Sequence, residues 1–244
     1  MSARATLATT RRVLSQLHHD RRTLALLLVV PCVLIALLAW VFDGTPTFDA
    51  IGAPLLGIFP FVVMFLVTSV ATLRERTSGT LERLLTMPIG KLDFLVGYAL
   101  AFGLVAVVQA LLATSVAVFA LGLDVAGSVW LLVVVALLDG LLGMALVLLV
   151  SAFAQSEFQA VQFLPAVVLP QFLLCGLLVP RERMNDVLEA VSDVLPLSYA
   201  VDAMRHVSTV GSLDSGVLQD IAVVVVAIVL ALGLGAATLR RRTA

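Results

Sequence analysis

Few side chains in this sequence are of a kind that does chemistry in an apolar setting, and Asp139 is the foremost of them. It is the one acid set well within a long apolar run. A carboxyl there costs about 2.5–3.5 kcal/mol on insertion scales, which makes it a functional candidate by default. Gly140 and Gly143 beside it would let a neighbouring helix approach closely. Asp139 therefore reads in two ways, as a substrate or gating contact or as a structural hydrogen bond to the next helix. One acid without a partner makes a poor proton relay. Cys32 and Cys175 stand singly in apolar runs and read as small apolar filler. His18 and His19 are adjacent, so they point in different directions around a helix, and no spacing of metal ligands occurs. Gly90-Lys91 is followed by Leu92 and lacks the upstream glycine of a phosphate-binding P-loop. There is no Ser/His/Asp arrangement and no H-E-x-x-H. No catalytic residue, metal site or cofactor is nominated for this chain. If ATP drives it, the ATPase is expected on another polypeptide.

The elements that must hold Asp139 are membrane helices. The 244 residues are 61% hydrophobic and 13% charged, with mean hydropathy +1.12. A soluble domain carries about 25% charged residues. The reading is an all-α integral membrane protein, a single transmembrane domain over 1–244. Six apolar runs are long enough for spans of about 20 residues, at 23–42, 51–73, 94–121, 128–153, 158–179 and 221–239. The first run is followed by Asp43-Gly44-Thr45-Pro46 rather than by a small-residue cleavage site, so it reads as a retained span. Residues 1–22 are basic, with Leu7, Val13, Leu14 and Leu17 roughly on one face, and predict an interfacial helix along the membrane.

Twelve of the fifteen lysines and arginines fall on one side if the N-terminus is inside, leaving Arg181, Arg183 and Arg205 outside. The positive-inside rule then predicts cytoplasmic termini, a cytoplasmic 74–93 and an external 180–220. In that external segment Met184, Val187, Leu188, Val191, Val194 and Leu195 recur at helical spacing. Pro196 breaks the pattern, and Leu197, Val201, Met204 and Val207 suggest a second short amphipathic helix. Both are expected to dip into or lie on the outer leaflet.

The segment 74–93 is the one long charged interruption in the first two-thirds of the chain. Gly79 and Thr80 open a short helix, with Glu82 in its first turn where the helix dipole favours an acid. Leu81, Leu84 and Leu85 make a narrow apolar stripe, Arg83 flanks it, and Pro88 ends the helix. A two-turn helix of this kind cannot bury its stripe alone. It needs the membrane surface or a partner protein.

Two spans differ from the rest. The second holds Gly52, Pro54, Gly57 and Pro60, then Phe59, Phe61, Met64 and Phe65. The fifth holds Pro165 and Pro170, with Gln159, Gln162, Gln171, Phe163 and Phe172. Prolines free backbone carbonyls, and aromatics, methionines and amides suit flat or amphiphilic ligands. Phe61, Met64, Phe65, Gln162, Phe163, Gln171, Phe172 and Asp139 are the candidates for lining a substrate path; ordinary helix and lipid packing is the alternative for each.

The run Glu75-x-x-Ser78-Gly79-Thr80-Leu81-Glu82-x-Leu84-Leu85-x-x-Pro88, with Gly97 opening the next span, resembles the membrane subunit of type-2 ABC exporters, and most of all the drug-export permeases of the daunorubicin-resistance type. A second stretch, Leu195-Pro196-Leu197-Ser198-Tyr199-Ala200-Val201-Asp202-Ala203-Met204-Arg205, resembles the same family. The resemblance implies that 79–88 is a coupling helix docked on a separate ATPase. It also implies short re-entrant helices before the last span. The complex would hold two ATPase subunits carrying ATP and Mg, and two membrane subunits (copies or paralogues) with the path between them, near spans 1, 2 and 5. The cargo would be hydrophobic or amphiphilic, a drug, antibiotic or lipid, with a glycan precursor as the alternative. Nothing points to nucleic acid. An ion-coupled secondary transporter is the rival, but it would show an inverted repeat and several intramembrane ion ligands.

Overall fold

The computed structural model describes residues 2–77, 91–151, 157–211 and 213–238. Among them there is no strand; the elements are α1 (Ala3–His19), α2 (Arg21–Val41), α3 (Thr47–Thr77), α4 (Lys91–Ser115), a π-helical turn (Val116–Ala120), α5 (Val129–Ser151), α6 (Glu157–Leu174), α7 (Asp186–Ser192), α8 (Pro196–Thr209) and α9 (Ser215–Thr238). Five helices are long and apolar enough to cross a membrane, namely α2, α3, α4 with its π turn, α5 and α9. The predicted fifth span, 158–179, is shorter as a helix. The helix runs from Glu157 to Leu174. It stops there because Gly176 takes φ +87°, outside helical geometry.

The core sits around α5, which packs on α3, α4, α8 and α9. Glycines set the α3–α5 distance. A Cβ on Gly143 would lie 2.2 Å from the Phe61 carbonyl oxygen, so the two backbones touch there without an intervening side chain. Tyr98 and Phe102 of α4 and Leu132 and Leu142 of α5 are fully buried.

Proline leaves one legible trace in the packing. Pro31 inside α2 has no N–H, so the Leu27 carbonyl four residues earlier loses its helical donor. Gln109 of α4 supplies one, its Nε2 donating to Leu27 O at 2.9 Å. Both residues are buried, so this bond joins α2 to α4 inside the bundle.

The helix predicted within 1–22 is present as α1, but its buried face differs from the expected one. Thr6, Thr9, Thr10, Val13 and Leu17 are buried against protein, while Leu7 is 64% exposed. The partner is the start of α4. Thr6 Oγ1 donates to Asp93 Oδ1 at 3.3 Å, Ser2 N–H donates to the same oxygen at 2.9 Å, and Thr10 Oγ1 donates to Gly97 O at 3.1 Å. Contacts advance together along both chains, so α1 and α4 run in the same direction. Threonines fit here because α4 comes too close for larger side chains: a Cβ on Gly97 would lie 2.7 Å from Thr9 Cβ.

The external segment departs from expectation in a similar way. Pro196 is not a break but the first residue of α8, where its missing N–H costs nothing. Leu197, Val201, Met204 and Val207 are buried to 1% exposure or less, and α8 packs on α3, α5 and α9. Its apolar stripe thus faces protein rather than the outer leaflet. The apolar face of α7 is left open, with Val187 70%, Leu188 46% and Val191 43% exposed.

Candidate functional site

The predicted coupling residues Gly79, Thr80, Leu81, Glu82, Arg83, Leu84, Leu85 and Pro88 lie outside the described residues. What is described is the pair of helices that lead to them. α3 runs for 31 residues, about 46 Å at 1.5 Å per residue. It runs on past the apolar sequence into Arg74, Glu75 and Arg76. α4 begins at Lys91, with Asp93 in its first turn held by α1.

Asp139 is fully buried on α5. Gly57 of α3 makes room for it, since a Cβ there would lie 2.2 Å from Asp139 Oδ2 and 3.5 Å from Met204 Cε of α8. Three helices therefore meet at this carboxyl. Neither of its oxygens has a hydrogen-bond partner among the described residues. A buried polar group left unpaired costs about 1–3 kcal/mol by protein mutational data, so Asp139 is a polar anomaly among the described residues.

The path candidates divide into two sets. Phe61, Met64 and Phe65 are fully buried. Phe61 and Met64 sit on the α3–α5 seam that also holds Asp139, with Met64 Cγ 3.4 Å from where a Gly140 Cβ would be. They are core residues within one copy of the chain. The second set is on α6. Gln162 is exposed and Phe163 and Phe172 are half-buried. Gln171 is 3% exposed, and its Nε2 bonds weakly to Val167 O at 3.4 Å. The structure does not bring the two sets onto one surface.

A polar knot that the sequence reading did not foresee closes the end of α6. Arg181 pairs with both Asp193 and Asp202, and its guanidinium lies 5.1 Å from the centre of the Tyr199 ring. Burial pushes the Asp202 carboxyl up, and the Arg181 partner opposes that shift. Ser192 Oγ donates to Leu174 O, the last carbonyl of α6, at 2.7 Å, and Arg205 Nη2 donates to Gly176 O just past its end at 2.8 Å. Tyr199 Oη donates to Asp193 O at 2.7 Å, and Ser192 and Ser198 hydroxyls meet at 3.0 Å. The available signal was the spacing Ser198, Asp202, Arg205, which sets three polar groups on one face of α8.

Known proteins agree with this architecture. The ABC-2 type transporter family matches residues 4–208. Over 182 residues the chain is 27% identical to the "Probable multidrug ABC transporter permease YbhS" of Escherichia coli (strain K12), covering 74% of this chain and 48% of that protein. The match to "Probable multidrug ABC transporter permease YbhR" of the same strain is 27% over 153 residues, 63% of this chain and 42% of that protein. "ABC transporter G family member 20" of Dictyostelium discoideum is 23% identical over 163 residues, 67% of this chain and 22% of that protein. The chain thus spans about half or less of the length of these curated relatives. The matched family is a membrane permease, which accounts for a bundle built from spanning helices. With the family matched over most of its length, the chain belongs to the ABC-2 type transporter family.

Proposed function

We propose that the chain is the membrane permease of an ABC exporter in the cell membrane, with both termini cytoplasmic. It moves a hydrophobic or amphiphilic molecule with energy from a separate ATPase. The observation that carries this is the family match across 4–208, which includes the sequence joining α3 to α4. In this reading the segment 79–88 docks on the ATPase. Nucleotide binding closes two ATPase subunits, which carry ATP and Mg, and pushes that segment. The bundle then passes from inward-open to outward-open, a rigid-body alternation of access. A second copy or a paralogue completes the path; the likeness to two distinct permeases, YbhS and YbhR, makes a paralogue a natural partner. The names of those relatives support a multidrug cargo. Gln162, Phe163 and Phe172 offer α6 side chains to the path with the core closed, and Phe61, Met64, Phe65, Gln171 and Asp139, buried within one copy, would reach it only as the bundle opens.

The test is transport into inverted vesicles from cells making this chain alone, an adjacently encoded ATPase alone, or both. Accumulation of a lipophilic dye that needs ATP and both proteins supports the reading. Accumulation driven by a proton gradient without the ATPase favours the ion-coupled rival.

A further inference from the structure

We propose that a cavity between α1, α3 and α4 is a binding site for a small, uncharged aromatic molecule of single-ring size, such as a benzyl alcohol. The inference rests on packing inside one copy, not on export or on the ATPase.

The cavity follows from how α1 leaves α4. At Gly97 the two helices touch through Thr9 and Thr10. Past that contact, bulky side chains replace the match of glycine to threonine. They are Val13 and Leu17 on α1 and Tyr98 and Phe102 on α4. The last two stand one turn apart on the same side of their helix, with ring centres 6.1 Å apart. α3 closes the third side with Val67 and Ala71. Rings and branched chains do not fill the space beside the Ala71 methyl, and about 200 Å³ stays open. Val13, Leu17, Val67, Tyr98 and Phe102 are each 7% exposed or less, so the floor is interior to one copy. Among the described residues α2 gives the cavity only Thr23, and α6 gives it nothing.

Size and chemistry narrow the occupant. Drug-sized ligands occupy about 300–1,000 Å³, whereas an apolar cavity of about 150 Å³ takes up benzene. One ring fits this cavity and a drug-sized molecule does not. The walls carry no charge, so an ion inside would lose its water without gaining a partner. The mouth is polar. Asp20 is committed there, its oxygens accepting from Thr23 N–H at 3.1 Å and Thr23 Oγ1 at 2.8 Å. Gln16, also at the mouth, is exposed and makes no side-chain hydrogen bond among the described residues. Its amide can donate to a neutral hydroxyl or accept from one. A ring against Tyr98 and Phe102, with its hydroxyl at Gln16, meets both ends of the site.

The test uses the full chain in phosphatidylcholine vesicles and two light-activated reagents. One is a trifluoromethyl-diazirine benzyl alcohol; the other is the benzylamine of the same shape, a cation at neutral pH. Labelled peptides are read by mass spectrometry. The alcohol should label 13–17 and 98–102 to saturation. Its labelling around Val229, 63% exposed on α9, should instead rise in proportion to dose. At equal doses below saturation the amine should label the cavity about 10-fold less, because its charge would be buried. Ala71→Leu fills the space and should lower cavity labelling about 10-fold, with labelling around Val229 unchanged. Cavity labelling that never saturates overturns the proposal. So does labelling that survives Ala71→Leu, or an amine that labels the cavity as well as the alcohol. If Ala71→Leu does not fold, the dose curves and the comparison of alcohol with amine on the unmodified chain still decide.

Discussion

Leu27 loses its helical hydrogen bond to Pro31, and Gln109 restores it from another helix. Removing the amide leaves a buried carbonyl bare. Gln109→Leu should therefore cost about 1–3 kcal/mol of stability, measured as a lower unfolding midpoint in detergent. Adding Pro31→Ala returns an N–H to Leu27 and should recover most of that loss; no recovery would show that the amide acts elsewhere. Asp139 and Gly143 offer a contrast on the neighbouring seam. Asp139→Asn keeps the shape of a group that has no partner among the described residues, so it should preserve folding and most transport. Loss of transport with assembly intact would instead assign Asp139 to the substrate or the gate. Gly143→Ala puts a methyl on the Phe61 carbonyl oxygen, and should destabilise by about 1–3 kcal/mol or more through overpacking. Asp139 and its glycines were legible in the sequence because an acid in an apolar run is rare. Gln109 was not, since an amide in a span does not say which carbonyl it will meet.

Among the helices, α1 shows how a sequence pattern finds an element and mistakes its partner. Val13 and Leu17 marked the buried side correctly and Leu7 did not, while Thr6, Thr9 and Thr10 complete that side without an apolar signal. They are buried because Gly97 lets α4 come within reach of their hydroxyls. Gly97→Leu should push α1 off α4. Backbone hydrogen exchange should then speed up in residues 3–19 while α5 and α9 stay protected; unchanged exchange in α1 would mean the contact is dispensable. The stripe on α8 was read correctly and its destination was not, because amphipathicity alone cannot distinguish a lipid surface from α3 and α5. The shortening of α6 had a signal in Gly176, masked by the apolar residues on both sides of it. Hydropathy gives the apolar length, not the length that stays helical.

At the scale of the molecule, the sequence carried the helical class and the family. Of the knot around Arg181 it carried only the polar face of α8, because the partners Arg181 and Asp193 lie on separate stretches of the chain. Sidedness is checked with cysteines at Ser78 and Val194, the latter 80% exposed; Ser192, fully buried and bonded to Leu174 O, would label poorly. The two cysteines should react with impermeant reagent from opposite sides of the membrane, and reaction from the same side would refute the proposed orientation. The central claim is that 79–88 hands the work of an ATPase to this bundle. Truncating packed anchors costs about 2 kcal/mol or more, roughly 30-fold in affinity. The decisive measurement is the dissociation constant of the ATPase for the reconstituted chain and for its Leu84→Ala, Leu85→Ala variant. The account predicts about 30-fold weaker binding with the spans still inserted; the same affinity for both would contradict it.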